Sequence, residues 1–428
     1  MIAIVGGGIS GLALGRELAL RGVDFTLFEA APRVGGVIQS GWIDGHLLDW
    51  GPQRARLTRP LAALIDELGL RAQLVTAPPD LDLFVYRSGS LRRVPFSAGT
   101  FLASDLVSPR AKLRAALEPL TAGPDPDESV ASYFTRKLGH ELYETLVGPL
   151  YGGLYGSDPA DMRVGLSLQH VLDEFGVGRS LLLHLLRRGG AVRPPAACSF
   201  RDGMQALPDA LARALGPRIR TGTPVLGIHP HSTEGAPDGP AWVVEIPGET
   251  LEASRVVLAV PAAAVARLLD PVAPAAAVRI QRLHYNQLGV VHLHAETELR
   301  GMGFQVSFAE PLALRGVTYN HSLFGRTDVY TAYLGGGTRP EIAELDDDAL
   351  AWLAMDEFRG CTGYQSRPLA VAREAMPAWD HTWSALAGLA LPRGLYLDAN
   401  WESRPGLPGR FARAFSLAEE LAAGSGGA

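Results

Sequence analysis

Three consecutive glycines, Gly6–Gly8, follow the apolar run Ile2–Val5 at the amino end of the chain. A short apolar run that ends at glycines is typical of a buried strand. The next stretch, Ile9–Leu20, places small and apolar residues on one face of a helix, and Phe25–Phe28 forms a second apolar run. The order of strand, glycine turn, helix and strand predicts a βαβ unit at the start of the fold.

The spacing of the glycines indicates what this turn binds. Gly6 permits a tight turn, Gly8 lets the backbone approach a pyrophosphate, and Gly11 allows the helix to pack closely on the strand. The N-terminus of the helix offers unpaired N–H groups to phosphate oxygens. Glu29 follows Gly11 by eighteen residues, where its carboxylate can accept hydrogen bonds from an adenosine ribose. The pattern predicts a dinucleotide site; the alternative is a chance match in a chain with 49 glycines.

The residues beyond Glu29 indicate which dinucleotide binds. The segment FEAAPRVGGVIQS carries Arg33 and Gly35–Gly36, and it resembles the ExxxRxGG continuation of flavoproteins of the amine oxidase, phytoene desaturase and protoporphyrinogen oxidase superfamily. The segment HLLDWGPQ, with Asp49 and Gly51–Pro52, is similar to that superfamily's D/E-x-GP segment near the flavin ring. An arginine there can neutralise pyrophosphate charge. The alternative is a surface turn with an exposed arginine.

The carboxyl end resembles the closing motif of the same superfamily. The segment GLYLDANWESRPGLPGRFARAFSLAEEL reads as a strand over Leu395–Leu397, a polar turn, and a helix that opens at Gly406–Pro408. In the superfamily the strand ends in G-D or G-N and the helix N-terminus faces the flavin pyrimidine edge. Here Ala399–Asn400 stands at that place, so the glycine is absent. The alternative is a terminal strand and helix without a ligand.

The resemblance implies FAD as the cofactor, held largely by backbone groups. The residues that we expect to bind it are Gly6, Gly8, Ile9, Ser10, Gly11, Glu29, Arg33, Gly35, Gly36, Val37, Gly51, Pro52, Val225, Asn400, Gly406, Leu407 and Pro408.

Interior segments narrow the resemblance to one family. The stretches GPLYGGLYGSDPADMRVGLSL and FRDGMQALPDALARAL are similar, in order and spacing, to segments of the protoporphyrinogen and coproporphyrinogen oxidases. This resemblance implies oxidation of protoporphyrinogen IX or coproporphyrinogen III to the porphyrin in haem biosynthesis, with hydride transfer to flavin N5 and reoxidation by oxygen. The alternatives are a flavin amine oxidase or carotenoid desaturase-like oxidoreductase, and a non-catalytic binding protein with the flavoprotein fold.

The alternation of helical and strand patterns predicts an α/β fold, and the resemblance implies that this fold is of the amine oxidase type, with two dinucleotide motifs. A discontinuous Rossmann-like FAD-binding domain covers residues 1–75, 195–268 and 384–428. Residues 97–192 show apolar residues at three- and four-residue spacing and predict a helical domain. Residues 76–96 and 269–383 predict a sheet-based substrate domain that includes a helix near Asp346–Phe358.

The residues that meet the substrate are harder to assign. Relatives carry a basic residue where Leu83 stands, and methionine where Tyr333 stands. Arg87 and Arg92 are the candidates for meeting substrate carboxylates, with Tyr333 as a third substrate residue. The other arginines considered are Arg93, Arg163, Arg187 and Arg188. No catalytic residue is assigned, because hydride transfer to a flavin requires no acid–base pair.

Composition limits the partners. The net charge of −6 is spread along the chain, so no basic face indicates nucleic acid, and Cys198 and Cys361 form no metal-binding or disulfide pattern. We therefore expect a cytoplasmic protein with a tetrapyrrole or other small-molecule substrate. The stretch SAGTFLASDLVSPRAKLRAALEPL is amphipathic. It predicts either a core-facing helix or peripheral contact with the inner face of the membrane.

Overall fold

The computed structural model describes residues 1–187, 195–231, 241–403 and 406–423. The strands are β1 (Ile2–Val5), β2 (Phe25–Phe28), β3 (Gln39–Ile43), β4 (His46–Trp50), β5 (Ala55–Arg56), β6 (Leu74–Thr76), β7 (Leu83–Arg87), β8 (Ser90–Arg93), β9 (Ala197–Phe200), β10 (Ile219–Arg220), β11 (Gly227–Pro230), β12 (Trp242–Ile246), β13 (Glu249–Ala253), β14 (Arg255–Leu258), β15 (Tyr285–His294), β16 (Gly303–Val306), β17 (Leu314–Tyr319), β18 (Val329–Gly335), β19 (Arg367–Pro377) and β20 (Leu395–Leu397).

The α-helices are α1 (Ile9–Leu20), α2 (Arg59–Glu67), α3 (Ala98–Ala103), α4 (Pro109–Ala116), α5 (Val130–Leu138), α6 (His140–Leu142), α7 (Gly148–Tyr155), α8 (Gln169–Glu174), α9 (Leu181–Arg187), α10 (Ala206–Leu215), α11 (Ala262–Leu269), α12 (Pro274–Gln281), α13 (Asn320–Phe324), α14 (Asp347–Thr362) and α15 (Leu407–Ala423).

A parallel sheet gathers strands from distant parts of the chain, in the order β10-β2-β1-β14-β20. All four residues of β1 are buried, as expected for a parallel strand covered on both faces. Strand β14 pairs with β1 on one side and with β20 on the other, so the two ends of the chain enter the same sheet. The predicted α/β fold is confirmed.

Helices α1, α10 and α15 pack against this sheet. Their buried leucines form one hydrophobic core with the sheet. Helix α1 lies between the other two. At Gly15, the surface of α1 packs directly against the side chains of Phe25 and Leu215. Helix α15 reaches α1 from the opposite end of the sequence, so the carboxyl-terminal segment closes the layer that the amino-terminal segment begins.

A second, seven-stranded sheet has the order β19-β15-β18-β17-β16-β7-β8. Helix α14 covers one face of it, through Leu350, Ala354 and Phe358. On the opposite face, Glu374 accepts a hydrogen bond from the N–H of Gly51, in the segment that follows β4. Strands β7 and β8, from the predicted substrate segment 76–96, join through a parallel pairing of β7 with β16. The exact domain boundaries stay a prediction.

Helices α3 to α9 lie within the predicted helical domain, and a buried ion pair holds part of them together. Lys137 on α5 and Glu118 are both fully buried, with Nζ 2.6 Å from Oε1. The Glu118 carboxylate also accepts hydrogen bonds from the N–H groups of Leu181 and Leu182 at the start of α9. Burial alone would raise the pKa of Glu118, but the hydrogen bonds from Lys137, Ser180 and these backbone groups lower it.

The amphipathic stretch over residues 97–120 forms α3 and α4 and leaves three leucines largely exposed, Leu102, Leu113 and Leu120. The ammonium group of Lys112 folds back onto the Leu102 and Ser104 carbonyls. Across the described ranges, no helix combines the length and the apolarity that a bilayer crossing needs. Peripheral contact with a membrane stays a prediction.

The Glu118–Lys137 pair yields a stability prediction. Lys137→Met leaves the Glu118 carboxylate buried without its cation, so we expect the free energy of unfolding to fall by about 3–5 kcal/mol. Urea denaturation followed by circular dichroism measures the change. Lys112→Met is the matched control, because Lys112 is half-exposed, and it should cost less than about 1 kcal/mol. Equal losses in the two variants would contradict a stabilising role for the pair.

Candidate cofactor and substrate site

The turn between β1 and α1 is built by close backbone packing. A Cβ atom on Gly11 would lie 2.1 Å from the carbonyl oxygen of Gly6, far inside contact distance. Helix α1 is capped by Gly8, which offers no side-chain oxygen to the first turn. The helix N-terminus therefore keeps its N–H groups available for an anion, next to the predicted pyrophosphate-binding residues Ile9 and Ser10.

Glu29 lies beneath this turn, at the end of β2. Its Oε2 accepts a hydrogen bond from the N–H of Gly7 at 2.7 Å, and its Oε1 accepts one from Ala31 at 2.8 Å. Each carboxylate oxygen has two acceptor positions, so one on each remains for a ribose hydroxyl. The backbone of Thr223 donates to the Glu29 carbonyl, which brings the loop containing buried Val225 to the same end of the sheet.

The second glycine pair is joined to the first. The N–H of Gly35 donates to the Gly7 carbonyl at 2.8 Å, and Gly8 and Gly35 form an isolated parallel bridge. Arg33 donates to the Gly36 carbonyl at 2.9 Å and to the Ile38 carbonyl at 3.1 Å, so its guanidinium fixes the turn.

Val37 follows the second glycine pair and is 54% exposed, which is unusual for an apolar side chain at the centre of a fold. It lies beside the open edge that the two glycine loops form. This exposed apolar edge is the kind of surface that an isoalloxazine or ribityl chain covers.

The two glycine turns, Gly6–Gly8 and Gly35–Gly36, are called the cradle below. Gly51 connects this cradle to the seven-stranded sheet. It has a φ of +74°, and a Cβ atom there would lie 2.2 Å from the Val37 carbonyl oxygen. Its N–H donates to Oε1 of Glu374 on β19 at 3.1 Å. Pro52 follows and is half-buried. Nearby Asp49 is buried and accepts from Ser40 and from the N–H of Met204, so it ties the hairpin to the loop before α10.

The carboxyl-terminal motif closes the cradle. Strand β20 ends at Leu397, and the N–H of Asp398 continues the pairing by donating to the Leu258 carbonyl. Ala399 is buried and Asn400 is half-buried. Arg410 on α15 donates to the Ala399 carbonyl and lies 3.5 Å from Asp398 Oδ1. Burial raises the pKa of Asp398 to about 6 although Arg410 opposes the shift.

Helix α15 begins beside this turn. It starts at Leu407–Pro408, directly after Gly406, which has a φ of +85°. Strand β20, which precedes α15, pairs with β14, and β14 pairs with β1, which precedes α1. The N-termini of α15 and α1 therefore follow two strands of one sheet that are separated only by β14. Two helix N-termini that follow strands of one parallel sheet are a suitable arrangement for a ligand with charge at two places.

The donors and acceptors in the cradle fit FAD. Glycine backbone, a helix N-terminus without a side-chain cap and an acidic residue below the turn match a nucleotide diphosphate and its ribose. The glycine contacts support this fit. A Cβ atom at Gly11 or Gly51 would clash with backbone atoms, so each turn requires glycine. The contacts of individual residues with FAD stay a prediction.

The face of the seven-stranded sheet that lies toward the cradle carries a buried polar network. Nδ1 of His292 lies 3.0 Å from Oγ1 of Thr331, which also accepts a hydrogen bond from the Asn320 side chain. Asn320 donates as well to Oε1 of Gln53, between Gly51 and β5. Because His292 is fully buried, its pKa is lowered to about 4. The network therefore contains a neutral imidazole.

Tyr333 and Glu374 lie on the same face of this sheet. Tyr333 pairs with Val290 and Glu374 pairs with Leu288, and residues two apart on one strand point the same way. Burial raises the pKa of Tyr333, and Glu374 acts in the same direction. Tyr333 therefore lies on the sheet face to which Gly51 is hydrogen-bonded, and its contact with a substrate stays a prediction.

Arg54 and Glu374 are residues that the sequence reasoning did not select. Arg54 follows Gln53. Its side chain is exposed to solvent, but the protein around it desolvates the guanidinium, and this burial lowers its pKa. Its position two residues after the Gly51–Pro52 segment was the available signal. Glu374 had no comparable signal, because an acidic residue in a strand is most often on a solvated face.

Arg87 and Arg92 lie elsewhere. They are on β7 and β8 at the outer edge of the seven-stranded sheet, beside α3 and α4. Arg87 donates to the Leu106 carbonyl and to Glu141 at 3.0 Å, and Arg92 donates to Asp105 at 2.6 Å. Both guanidinium groups are therefore already paired within the protein. Of the other arginines considered, Arg188 lies outside the described residues.

Comparison with known proteins agrees with this geometry. The family model described as flavin containing amine oxidoreductase matches residues 9–396. Chloroplastic protoporphyrinogen oxidase 1 of Spinacia oleracea is 29% identical, over 98% of this chain and 83% of its own length. A crystal structure from Exiguobacterium, assigned provisionally as a protoporphyrinogen oxidase, superimposes with a TM-score of 0.81 at 23% identity, over 99% of this chain and 98% of that one.

A variant of putrescine oxidase also has a similar fold. Its TM-score is 0.73 at 18% identity, with 99% of this chain and 98% of that chain covered. The fold therefore extends across enzymes that act on different substrates.

The close approach at Gly11 gives a cofactor prediction. Gly11→Ala places a methyl group against the Gly6 carbonyl, so the turn must shift, and we expect FAD to bind at least about tenfold more weakly. The FAD content of the purified protein and titration of the apoprotein with FAD measure this. Gly99→Ala is the control, because a Cβ at Gly99 meets nothing within 4 Å. Unchanged affinity in Gly11→Ala would contradict the assigned turn.

The buried imidazole gives a pH prediction. The pKa of His292 is about 4 in the folded protein and about 6.5 in the unfolded chain, so below pH 6.5 the unfolded chain takes up a proton that the folded protein excludes. Stability should fall as the pH drops from 6.5 toward 4, by on the order of 3 kcal/mol. His292→Gln should remove this part of the loss.

Urea denaturation of the apoprotein at pH 7 and pH 5 measures the difference. The difference in unfolding free energy between the two pH values should be smaller in His292→Gln by about 2 kcal/mol. His140→Gln is the control, because His140 is exposed and pairs with Glu144 at the surface, 3.0 Å away. The same pH dependence in all three proteins would show that His292 titrates normally.

Proposed function

Because the chain belongs to the flavin-containing amine oxidoreductase family, it is an FAD-dependent oxidoreductase, and we propose that its substrate is a porphyrinogen, protoporphyrinogen IX or coproporphyrinogen III, which it oxidises to the porphyrin in haem biosynthesis. The observation that carries this proposal is the extent of the similarity to the spinach protoporphyrinogen oxidase, which spans 98% of the chain. The oxidising site is placed between the glycine cradle and the polar face of the seven-stranded sheet.

The residues of this chain have a positioning role in that reaction. Bound FAD would supply the acceptor for a hydride from the substrate and would pass the electrons to oxygen. The glycine turns hold the cofactor through backbone groups, and the sheet face opposite them, with Tyr333, holds the substrate against it. The buried network at His292 stays neutral near pH 7, so it acts as a rigid wall and not as a proton carrier.

No acid–base pair is needed for this chemistry. The hydrogens leave an electron-rich macrocycle in successive two-electron steps, and the barrier is lowered by holding donor and acceptor in reacting geometry. The predicted residues Gly51 and Pro52 support such positioning, since Gly51 is fixed from both sides by Val37 and Glu374.

The second candidate is oxidation of an amine. Glu374 places a carboxylate on the sheet face near Tyr333, and a carboxylate in a low-dielectric site attracts a cationic substrate. The putrescine oxidase fold provides a precedent for the architecture. Against this candidate, Oε1 of Glu374 accepts the hydrogen bond from Gly51, and Arg54 brings a positive charge to the same region.

A panel of donors tests the proposal. Anaerobic addition of protoporphyrinogen IX or coproporphyrinogen III to the purified holoprotein should bleach the flavin absorbance, because the porphyrinogen is the electron donor. After oxygen is admitted, porphyrin fluorescence should rise with about three hydrogen peroxide molecules per porphyrin, one for each two-electron step. Bleaching by diamines or polyenes, with none by either porphyrinogen, would reject the proposal and favour the second candidate.

A further inference from the structure

Arg54 is an exposed cation whose neighbours on both sides are buried. Its neighbour Gln53 is buried and accepts a hydrogen bond from Asn320, and Ala55 is buried and pairs with Cys198 on β9. The residues on both sides of Arg54 are therefore fixed in the core.

The side chain of Arg54 lies over one face of the seven-stranded sheet. It is exposed to solvent, yet the protein around it desolvates the guanidinium enough to lower its pKa. Hydrogen bonds from Gly51 to Glu374 and from Asn320 to Gln53 and Thr331 hold the segment before Arg54 against one face of the seven-stranded sheet, so the exposed side chain of Arg54 borders the region over that face. This region adjoins the Gly51–Pro52 segment, since Arg54 comes two residues after Pro52.

Among the described residues, no hydrogen bond or ion pair neutralises the Arg54 guanidinium. By contrast, Arg87, Arg92 and Arg326 each have an acidic partner. Burial lowers the pKa of Arg54, and the positive charge of Arg56, two residues further on, lowers it as well. A desolvated arginine without a protein anion is costly unless a ligand supplies the anion, because its charge is not compensated.

Tyr333 is the group that interacts favourably with Arg54. Tyr333 lies on the same sheet face as Glu374 and Thr331, and the Gly51–Gln53 segment before Arg54 is hydrogen-bonded to that face through Glu374 and Asn320. The phenol and the guanidinium therefore border the same region, and each acts on the pKa of the other. A guanidinium supplies a planar fork of donors, and a phenol supplies one more O–H donor. Two such groups side by side match a carboxylate, which accepts hydrogen bonds at both oxygens.

We propose that Arg54 and Tyr333 together bind a carboxylate of the substrate over this face of the seven-stranded sheet and so determine its orientation against the cofactor. The proposal rests on the proposed function, since a porphyrinogen carries propionate side chains. It assigns carboxylate recognition to the segment that follows Gly51–Pro52. Arg87 and Arg92, at the outer edge of the sheet, are occupied by Glu141 and Asp105.

The charge pattern favours a substrate carboxylate over the cofactor as the partner of Arg54. The two glycine loops and the N-terminus of α1 offer backbone N–H groups to the phosphates of FAD. These groups lie at the ends of β1 and β2. Arg54 instead lies next to Tyr333 on the seven-stranded sheet. Glu374 on the same face repels a second carboxylate, which leaves one productive orientation.

The test compares acids with their esters. The holoprotein is titrated with protoporphyrin IX and with coproporphyrin III, each alongside its methyl ester, in the same detergent solution. The wild type should bind each acid more tightly than its ester. Arg54→Met should raise the Kd of the acids by about tenfold to a hundredfold and leave the Kd of the esters unchanged. Tyr333→Phe should show a smaller loss of the same kind.

The controls separate charge from structure. Arg59→Met removes an exposed arginine from the start of α2 and should bind acids and esters like the wild type. Arg54→Lys keeps the positive charge and should recover part of the preference for acids. If Arg54→Met loses its FAD, the affinities of Arg54→Lys for acids and esters are compared with those of the wild type instead. In turnover, Arg54→Met should raise KM more than it lowers kcat.

The outcomes distinguish the inference from the proposed function. Bleaching of the wild-type flavin by neither porphyrinogen would reject the proposed function. Turnover in the wild type combined with an unchanged ratio of acid to ester affinity in Arg54→Met would overturn the inference alone. The flavin midpoint potential should be the same in the wild type and in Arg54→Met. A shifted potential with an unchanged affinity ratio would place Arg54 against the flavin and overturn the assignment to substrate.

Discussion

The contact between Gly11 and the carbonyl of Gly6 is the constraint on which the rest of the structure depends. With 2.1 Å between that oxygen and the position of a Cβ, only glycine lets α1 start so close to β1. The short turn leaves the helix N-terminus without a side-chain cap and directs it outward from the strand end. Every other part of the cradle is arranged around this point: Glu29 supports it from below and Gly35 joins it from the side.

The predicted cofactor site uses residues from both ends of the chain, and the parallel sheet brings these ends together. Strand β14 does this by pairing with β1 and β20, although β14 lies near the middle of the sequence. The chain therefore leaves the parallel sheet twice to build the helices and the seven-stranded sheet, and returns each time. The hydrogen bond between Gly51 and Glu374 then fixes the second sheet to the cradle, so the distance between cofactor and substrate face is set by the fold.

The sequence predicts local elements well because their signals are local. The first βαβ unit has the predicted bounds, since Ile2–Val5, Ile9–Leu20 and Phe25–Phe28 are delimited by glycines and by apolar period. The helix expected near Asp346–Phe358 is present as α14 and continues to Thr362. The resemblance of the glycine segments also predicted FAD and the fold class, because these motifs depend on backbone geometry that few other residues allow.

The substrate side could not be predicted in the same way, because it depends on which strands become neighbours. Arg87 and Arg92 have the right chemistry for a carboxylate, but the pairing of β7 with β16, more than 200 residues away, puts them at a sheet edge beside Glu141 and Asp105. Arg54 has the same chemistry and a less distinctive sequence context. Within the part of the chain that the structure describes, Arg87 and Arg92 each have a protein carboxylate within reach and Arg54 has none. That difference is a property of the tertiary structure alone. A desolvated cation acquires a ligand-binding role when the fold withholds its counter-ion, so the search for such sites should begin from charges that the folded chain leaves uncompensated.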